Sequence, residues 1–234
     1  FVNYSMYKLL PILLFAYGLA VTTNDIYDNS YALIIGIDKY ENTPLDYAVK
    51  DAESVANLLK ENFNFSSKNI TTLLNEEATL SNIKNSLSKI ASSAIENDRV
   101  LIYFAGHGVT DILPDGGEMG YLLPIDGKVD NLFATSIPMD DIKRISSISK
   151  SKHMLFLVDA CYGGLSAVGA RGLDATTTPN YIDKITKDKA RQIITAGGRG
   201  EQVVEKSEWG HSAFTLNLIR ALEDGKADLN DDGY

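Results

Sequence analysis

Residues 99–108 read Arg-Val-Leu-Ile-Tyr-Phe-Ala-Gly-His-Gly, and residues 153–164 read His-Met-Leu-Phe-Leu-Val-Asp-Ala-Cys-Tyr-Gly-Gly. In each, an unbroken apolar run is too short for a buried helix and too continuous for a strand with one wet face. Both runs therefore predict strands covered on both sides. Each run breaks into glycine next to a reactive side chain, His107 in the first and Cys161 in the second.

The same reading extends outward. Ala32, Leu33, Ile34 and Ile35 predict a buried strand over 31–37, and Ile70 to Leu74 a second. Between them Ala48, Ala52, Val55, Ala56, Leu58 and Leu59 recur at helical spacing, ending near Asn62. Thr79 or Ser81 caps a helix carrying Ile83, Leu87, Ile90 and Ile95. The Gly- and Asp-rich stretch 106–130 reads as loop, with one extended piece at Tyr121–Leu123. A short helix over 140–148, a strand over 191–196 and a helix over 212–223 complete the pattern. Strand and helix alternate without an internal repeat. The fold class is α/β, a mostly parallel central sheet with helices on both faces.

Composition narrows the function. The 234 residues carry a formal net charge of −9 with no basic stripe, which argues against nucleic acid as a partner. An acidic surface attracts basic segments of other proteins, and simple solubility accounts for the same charge. Cys161 is the single cysteine, so neither an intramolecular disulfide nor a cysteine-based zinc site can form. The apolar run Leu9–Val21 follows Met6 and Lys8, has the length of a signal-peptide core and ends at small residues, Gly18 and Ala20. Residues 1–27 are accordingly expected to be an export signal and linker, and 28–234 one domain. The expected location is secreted or periplasmic. It is cytoplasmic if the segment is no signal, and membrane-attached if the segment stays uncleaved.

Ligand sites in open parallel sheets lie beyond the carboxyl ends of the strands, which is where His107 and Cys161 fall. A thiol attacks an acyl carbon as its thiolate and needs a base within reach, together with donors for the developing oxyanion. Glycines beside both residues leave the side chains uncrowded and admit positive φ. The two are 54 residues apart. On neighbouring strands they would project over one edge.

These motifs resemble the caspase-like cysteine peptidases, and within them the metacaspases and bacterial caspase homologues. The resemblance runs from Tyr31 to about Glu223 and is carried by YALIIGI at 31–37, YFAGHG at 103–108, VDACYGG at 158–164 and GHSAFT at 210–215. The His-to-Cys separation agrees with the caspase pattern. The resemblance implies a caspase-like three-layer sandwich, Cys161 as nucleophile, His107 as base and then acid, and the amides of Gly108 and Cys161 as oxyanion donors. It implies hydrolysis through a thioester, with no cofactor needed for the chemistry. Caspases carry Gln two places before the nucleophile, where this chain has Asp159, and Asp51 matches an acidic pocket residue of metacaspases. Two carboxylates favour a guanidinium or ammonium guest, so the expected substrates are proteins or peptides cut after Arg or Lys. The plainer alternatives are that Asp51 faces solvent and Asp159 only orders its loop.

Residues 165–190 correspond to the family's linker between large and small portions. Self-cleavage is expected there after Arg171, or after Lys184, Lys187 or Lys189. Some metacaspases bind calcium through an acidic cluster that Asp140 and Asp141 resemble, and Asp228, Asn230 and Asp232-Gly233 begin an EF-hand-like loop that lacks its closing Glu before Tyr234. Polar surface loops explain both clusters equally well. His153 and His211 read as structural, and Trp209 as groove or core. The competing readings are a catalytically silent caspase-like binding module, against which the presence of Cys161 and His107 together argues, and a nucleotide-binding domain. The latter lacks both a Gly-x-Gly-x-x-Gly turn and a Walker loop.

Overall fold

The computed structural model describes residues 26–160, 187–197, 204–224 and 226. Its centre is a five-stranded sheet of β1 (Ser30–Gly36), β2 (Ile70–Leu74), β3 (Arg99–Ala105), β7 (His153–Asp159) and β8 (Ala190–Thr195). The strands run parallel in the order β2-β1-β3-β7-β8. The apolar runs are continuous because the sheet is covered twice. Ala32, Ile34, Tyr103, Ala105 and Leu157 face one core, with Leu33, Ile35, Ile102, Phe104, Phe156 and Val158 facing the other.

Helix α1 (Ala48–Asn62) closes the first face with Ala48, Ala52, Val55, Ala56 and Leu59, joined by Phe214 and Leu218 of α5 (Ala213–Glu223). Helix α2 (Leu80–Ser93) closes the second with Ile83, Leu87 and Ile90, beside Met139 and Ile142 of α4 (Met139–Ile148). Three layers result, in agreement with the sequence reading. Of the two candidate caps for α2, Thr79 is the one used: its Oγ1 accepts from Asn82 N at 3.2 Å. Gly36 ends β1 because a Cβ there would stand 2.6 Å from both Ala48 O and Ala52 Cβ, so α1 crosses the strand end on a bare backbone.

The stretch 106–130 is not the loop its composition predicts. It holds an antiparallel hairpin of β4 (Gly108–Ile112) and β5 (Glu118–Leu122), to which β6 (Ile137–Pro138) adds after a helical turn, α3 (Leu132–Thr135). Gly116, at φ +83°, supplies the turn. The strand signal is weak because β4 is at best half-buried and carries Thr110 and Asp111 among its five residues. A second short hairpin, β9 (Glu205–Lys206) and β10 (His211–Ser212), leads into α5. Among the described residues no helix is long and apolar enough to cross a membrane.

Candidate active site

The strand order reverses at β1 and β3: the chain steps from β1 outward to β2, then back to β3 on the other side. A crevice opens at such a reversal, beyond the carboxyl ends of the strands. His107 lies here, two residues past the end of β3, partly exposed. Its backbone is tied on both sides. The N–H donates to Tyr40 Oη at 3.1 Å, the Tyr40 hydroxyl donates to Leu123 O at 2.8 Å, and Leu123 N–H donates to His107 O at 2.9 Å. The Tyr40 ring lies against the imidazole, centroids 4.5 Å apart. Burial raises the Tyr40 phenol well above its ordinary value, so it stays a neutral donor.

Gly106 serves this arrangement sterically, because a Cβ there would fall 2.5 Å from Tyr40 Oη. The expectation of positive φ beside His107 is not met; among the described glycines only Gly116 and Gly210 adopt it. The imidazole Nε2 sits 2.6 Å from Thr43 O. A carbonyl oxygen only accepts, so Nε2 carries the proton and a neutral ring keeps its lone pair on Nδ1. Gly108 opens β4 opposite Leu122.

Cys161 lies outside the described residues, but the chain leading to it is described. Ala105 pairs with Asp159 in a β3–β7 register offset by 54 residues throughout, and Gly106 N–H extends the ladder to Asp159 O at 3.2 Å. Ala160 is buried.

Beside His107 is a cavity of about 160 Å³, walled by Leu45 and Ala48 on the α1 side and by Ala105 and Gly106 on the β3 side. Among the described residues three carboxylates line it: Asp51, Asp159 and Glu205. Asp51 does not face solvent from its helix; at 1% exposure it accepts from His211 Nδ1 at 2.5 Å through Oδ1 and from Ser212 N–H at 3.0 Å through Oδ2. Asp159 is 4% exposed, and its Oδ2 accepts from the hydroxyls of Ser212 at 2.5 Å and Thr215 at 2.6 Å, while the Tyr103 hydroxyl, 3.3 Å from the same oxygen, donates its one proton to Thr215 Oγ1 at 2.6 Å. Its Oδ1 is buried and has no hydrogen-bond partner among the described residues. Glu205 accepts weakly from Asp46 N–H at 3.4 Å.

Burial pushes all three carboxyls above the usual carboxylate range. The Ser212 and Thr215 hydroxyls offset part of this for Asp159, and Ser212 N–H and His211 part of it for Asp51. At Glu205 the other carboxylates, Asp51, Asp159 and Asp38, add to the rise.

Sequence reasoning thus placed His107, Asp51 and Asp159 at one site and missed Glu205, Thr43, Tyr40 and the donors around the carboxylates. The motif 210–215 was the signal for the donors, although it carries no hint of what they touch. Asp140 and Asp141 are elsewhere, in the first turn of α4 on the other face of the sheet. There they pair with Lys143 at 3.1 Å, and with Arg144 at 3.4 Å and Lys84 at 3.8 Å. Calcium takes six to eight oxygens. Among the described residues no group of three or more His, Cys, Asp or Glu side chains is placed to hold a metal ion, and Asp140 and Asp141 supply two carboxylates toward such a set. The half EF-hand, Arg171 and Lys184 lie outside the described residues. His153 is at the opposite end of the sheet, bonded to Tyr27 and Asp188 O. Trp209 lies in the β9–β10 turn under Lys206 Nζ, 4.6 Å from the ring centroid.

A family model described as a caspase domain matches residues 29–232. The chain belongs to the caspase-domain family. It is similar to Metacaspase-7 of Arabidopsis thaliana, 28% identical over an aligned stretch of 169 residues that covers 66% of this chain and 40% of that protein. The chain thus spans well under half the length of this curated relative. The crystal structure of a Geobacter sulfurreducens protein is similar in fold, with a TM-score of 0.61 at 18% identity, covering 84% of this chain and 83% of that one.

Proposed function

We propose that this caspase-domain chain is a cysteine endopeptidase that cleaves proteins or peptides after Arg or Lys, with Cys161 as nucleophile and His107 as its base. The observation that carries the dyad is the β3–β7 register. Its 54-residue offset equals the separation of His107 and Cys161, so the two chain exits leave neighbouring parallel strands side by side. The Thr43 carbonyl, by accepting the hydrogen bond of Nε2–H, keeps that proton on Nε2 and leaves Nδ1 to accept the proton of the thiol. The thiolate then attacks the scissile carbonyl carbon, and the N–H groups of Gly108 and Cys161 hold the oxyanion. The amine leaves with the proton from His107, and water hydrolyses the thioester after giving a proton to the same nitrogen.

Specificity rests on the cavity beside His107. Asp159, whose Oδ1 has no hydrogen-bond partner among the described residues, shares the cavity wall with Asp51 and Glu205, and the three carboxyls are complementary to a guanidinium or ammonium group and repulsive to a carboxylate. The same specificity makes the basic residues of the linker, Arg171 foremost, sites for self-cleavage; a single unchanged mass after prolonged incubation of active enzyme counts against this.

The decisive experiment is hydrolysis of matched Arg, Lys and Asp fluorogenic peptides by the chain and by Cys161→Ala, with and without calcium. Cleavage of Arg and Lys peptides, abolished by the substitution, is the expected result. Arg activity that survives Cys161→Ala removes the nucleophile, and preference for Asp removes the acidic pocket.

A further inference from the structure

We infer that Ser212 is a positioning residue of the basic-residue pocket, bridging its two deep carboxylates and setting them against one another. It contacts both at once, Asp51 through its backbone N–H at 3.0 Å and Asp159 through its hydroxyl at 2.5 Å. The inference rests on the reading of the pocket in the preceding subsection.

The same hydroxyl accepts from Thr215 N–H at 2.9 Å as the N-cap of α5. One proton and two lone pairs let it cap the helix and donate to Asp159 together. Thr215 Oγ1, also fully buried, adds a contact to the same Asp159 oxygen. These donors matter because the surroundings otherwise oppose a charged pair. Asp159 faces Asp51 from α1, Glu205 from β9 and the Tyr103 hydroxyl from β3, and burial keeps that phenol protonated. Asp51 faces Asp38 from the β1–α1 loop and His211 from β10, the only described titratable base bonded to either carboxylate. Lys50 is the nearby cation on α1, its Nζ 2.7 Å from where a Gly210 Cβ would stand. Two buried carboxylates among like charges take up a proton unless donors favour the ionised form, and a protonated pocket no longer attracts Arg or Lys. Ser212 and Thr215 lie beyond the linker in sequence, so the segment after it completes a pocket whose two deep carboxylates, Asp51 and Asp159, come from before it.

The test compares wild type with Ser212→Ala, Ser212→Thr and Thr215→Val. The first readout is kcat/KM on an Arg peptide across the pH range. The second is the carboxyl ¹³C titration of Asp159, assigned by its loss in Asp159→Asn. Removing a donor to the carboxylate raises the pH at which it ionises, so the acid limb and the carboxyl midpoint of Ser212→Ala move up by about one to two pH units. Ser212→Thr, which keeps hydroxyl and cap, restores both. Thr215→Val keeps the cap and moves both in the same direction, which covers the case of a Ser212→Ala chain that does not fold. A loss of activity uniform in pH, with the Asp159 midpoint unmoved in the folded variants, overturns the inference and leaves Ser212 a helix cap. A wild-type chain inert on basic peptides sinks the preceding subsection instead, while the carboxyl titration still decides this one.

Discussion

Replacing Asp159 with Asn removes a charge while keeping the shape of the side chain. The amide oxygen can take over the hydroxyls that Oδ2 receives from Ser212 and Thr215, but an NH₂ group replaces Oδ1, which has no hydrogen-bond partner among the described residues, and the charge that attracts a cationic guest is gone. Breaking one side of a buried ion pair costs about 3–5 kcal/mol, so kcat/KM on an Arg peptide should fall by roughly two to three and a half decades. Stability supplies a second, independent sign. The Asp159 carboxyl is held above its ordinary value in the folded chain, so between the unfolded value and that raised one the native state binds more protons than the unfolded state. Its contribution is therefore fully present below the unfolded value and is lost as pH rises through the folded one. Wild type should gain stability relative to Asp159→Asn as the pH falls toward about 4, by at most about 1.4 kcal/mol per pH unit inside the window. Peptide hydrolysis at pH 8 and urea unfolding of both proteins at several pH values measure the two effects. A variant that cuts Arg peptides within about fivefold of wild type, or a stability difference flat between about pH 4 and 8, refutes the reasoning.

Glu205→Gln should lower kcat/KM on Arg and Lys peptides by roughly tenfold or more, the worth of one charged contact, while iodoacetamide alkylates Cys161 at an unchanged rate; slower alkylation would mean a disturbed dyad rather than a weakened pocket. Tyr40→Phe strands both His107 N–H and Leu123 C=O, and urea unfolding should show a loss of about 2–4 kcal/mol, with a change under about 1 kcal/mol counting against the buried Tyr40 bridge. Gly36→Ala forces a Cβ against Ala48 O and Ala52 Cβ, where overpacking costs about 1–3 kcal/mol; a neutral effect in the same assay would mean that α1 can shift on β1.

Much of this was legible because the information is local. A strand buried on both faces must be apolar along its middle, as β3 is from Val100 to Ala105 and β7 from Met154 to Val158, whereas the half-exposed β4 has no such requirement and its composition reads as loop. His107 and Asp159 could be assigned to one edge because the ends of buried parallel strands are where such a sheet is open. Asp51 was the harder case, since a carboxylate in the first turn of a helix fits an exposed surface as well as a pocket. Only the contacts of His211 and Ser212, 160 and 161 residues away, bury it.

From the chain alone came the α/β class, the strands and helices of the central sheet, and the strand ends that carry histidine and cysteine, all set by the spacing of apolar residues along a few turns of backbone. Tertiary structure decided how those ends are charged and aimed. Glu205 reaches the cavity through a two-residue strand, Ser212 and Thr215 reach Asp159 because α5 packs beside α1, and the tautomer of His107 is set by the carbonyl of Thr43. A main-chain oxygen is the same in every residue. No pattern of side chains can announce which imidazole it will meet, because that depends on how the β1–α1 loop closes over the sheet.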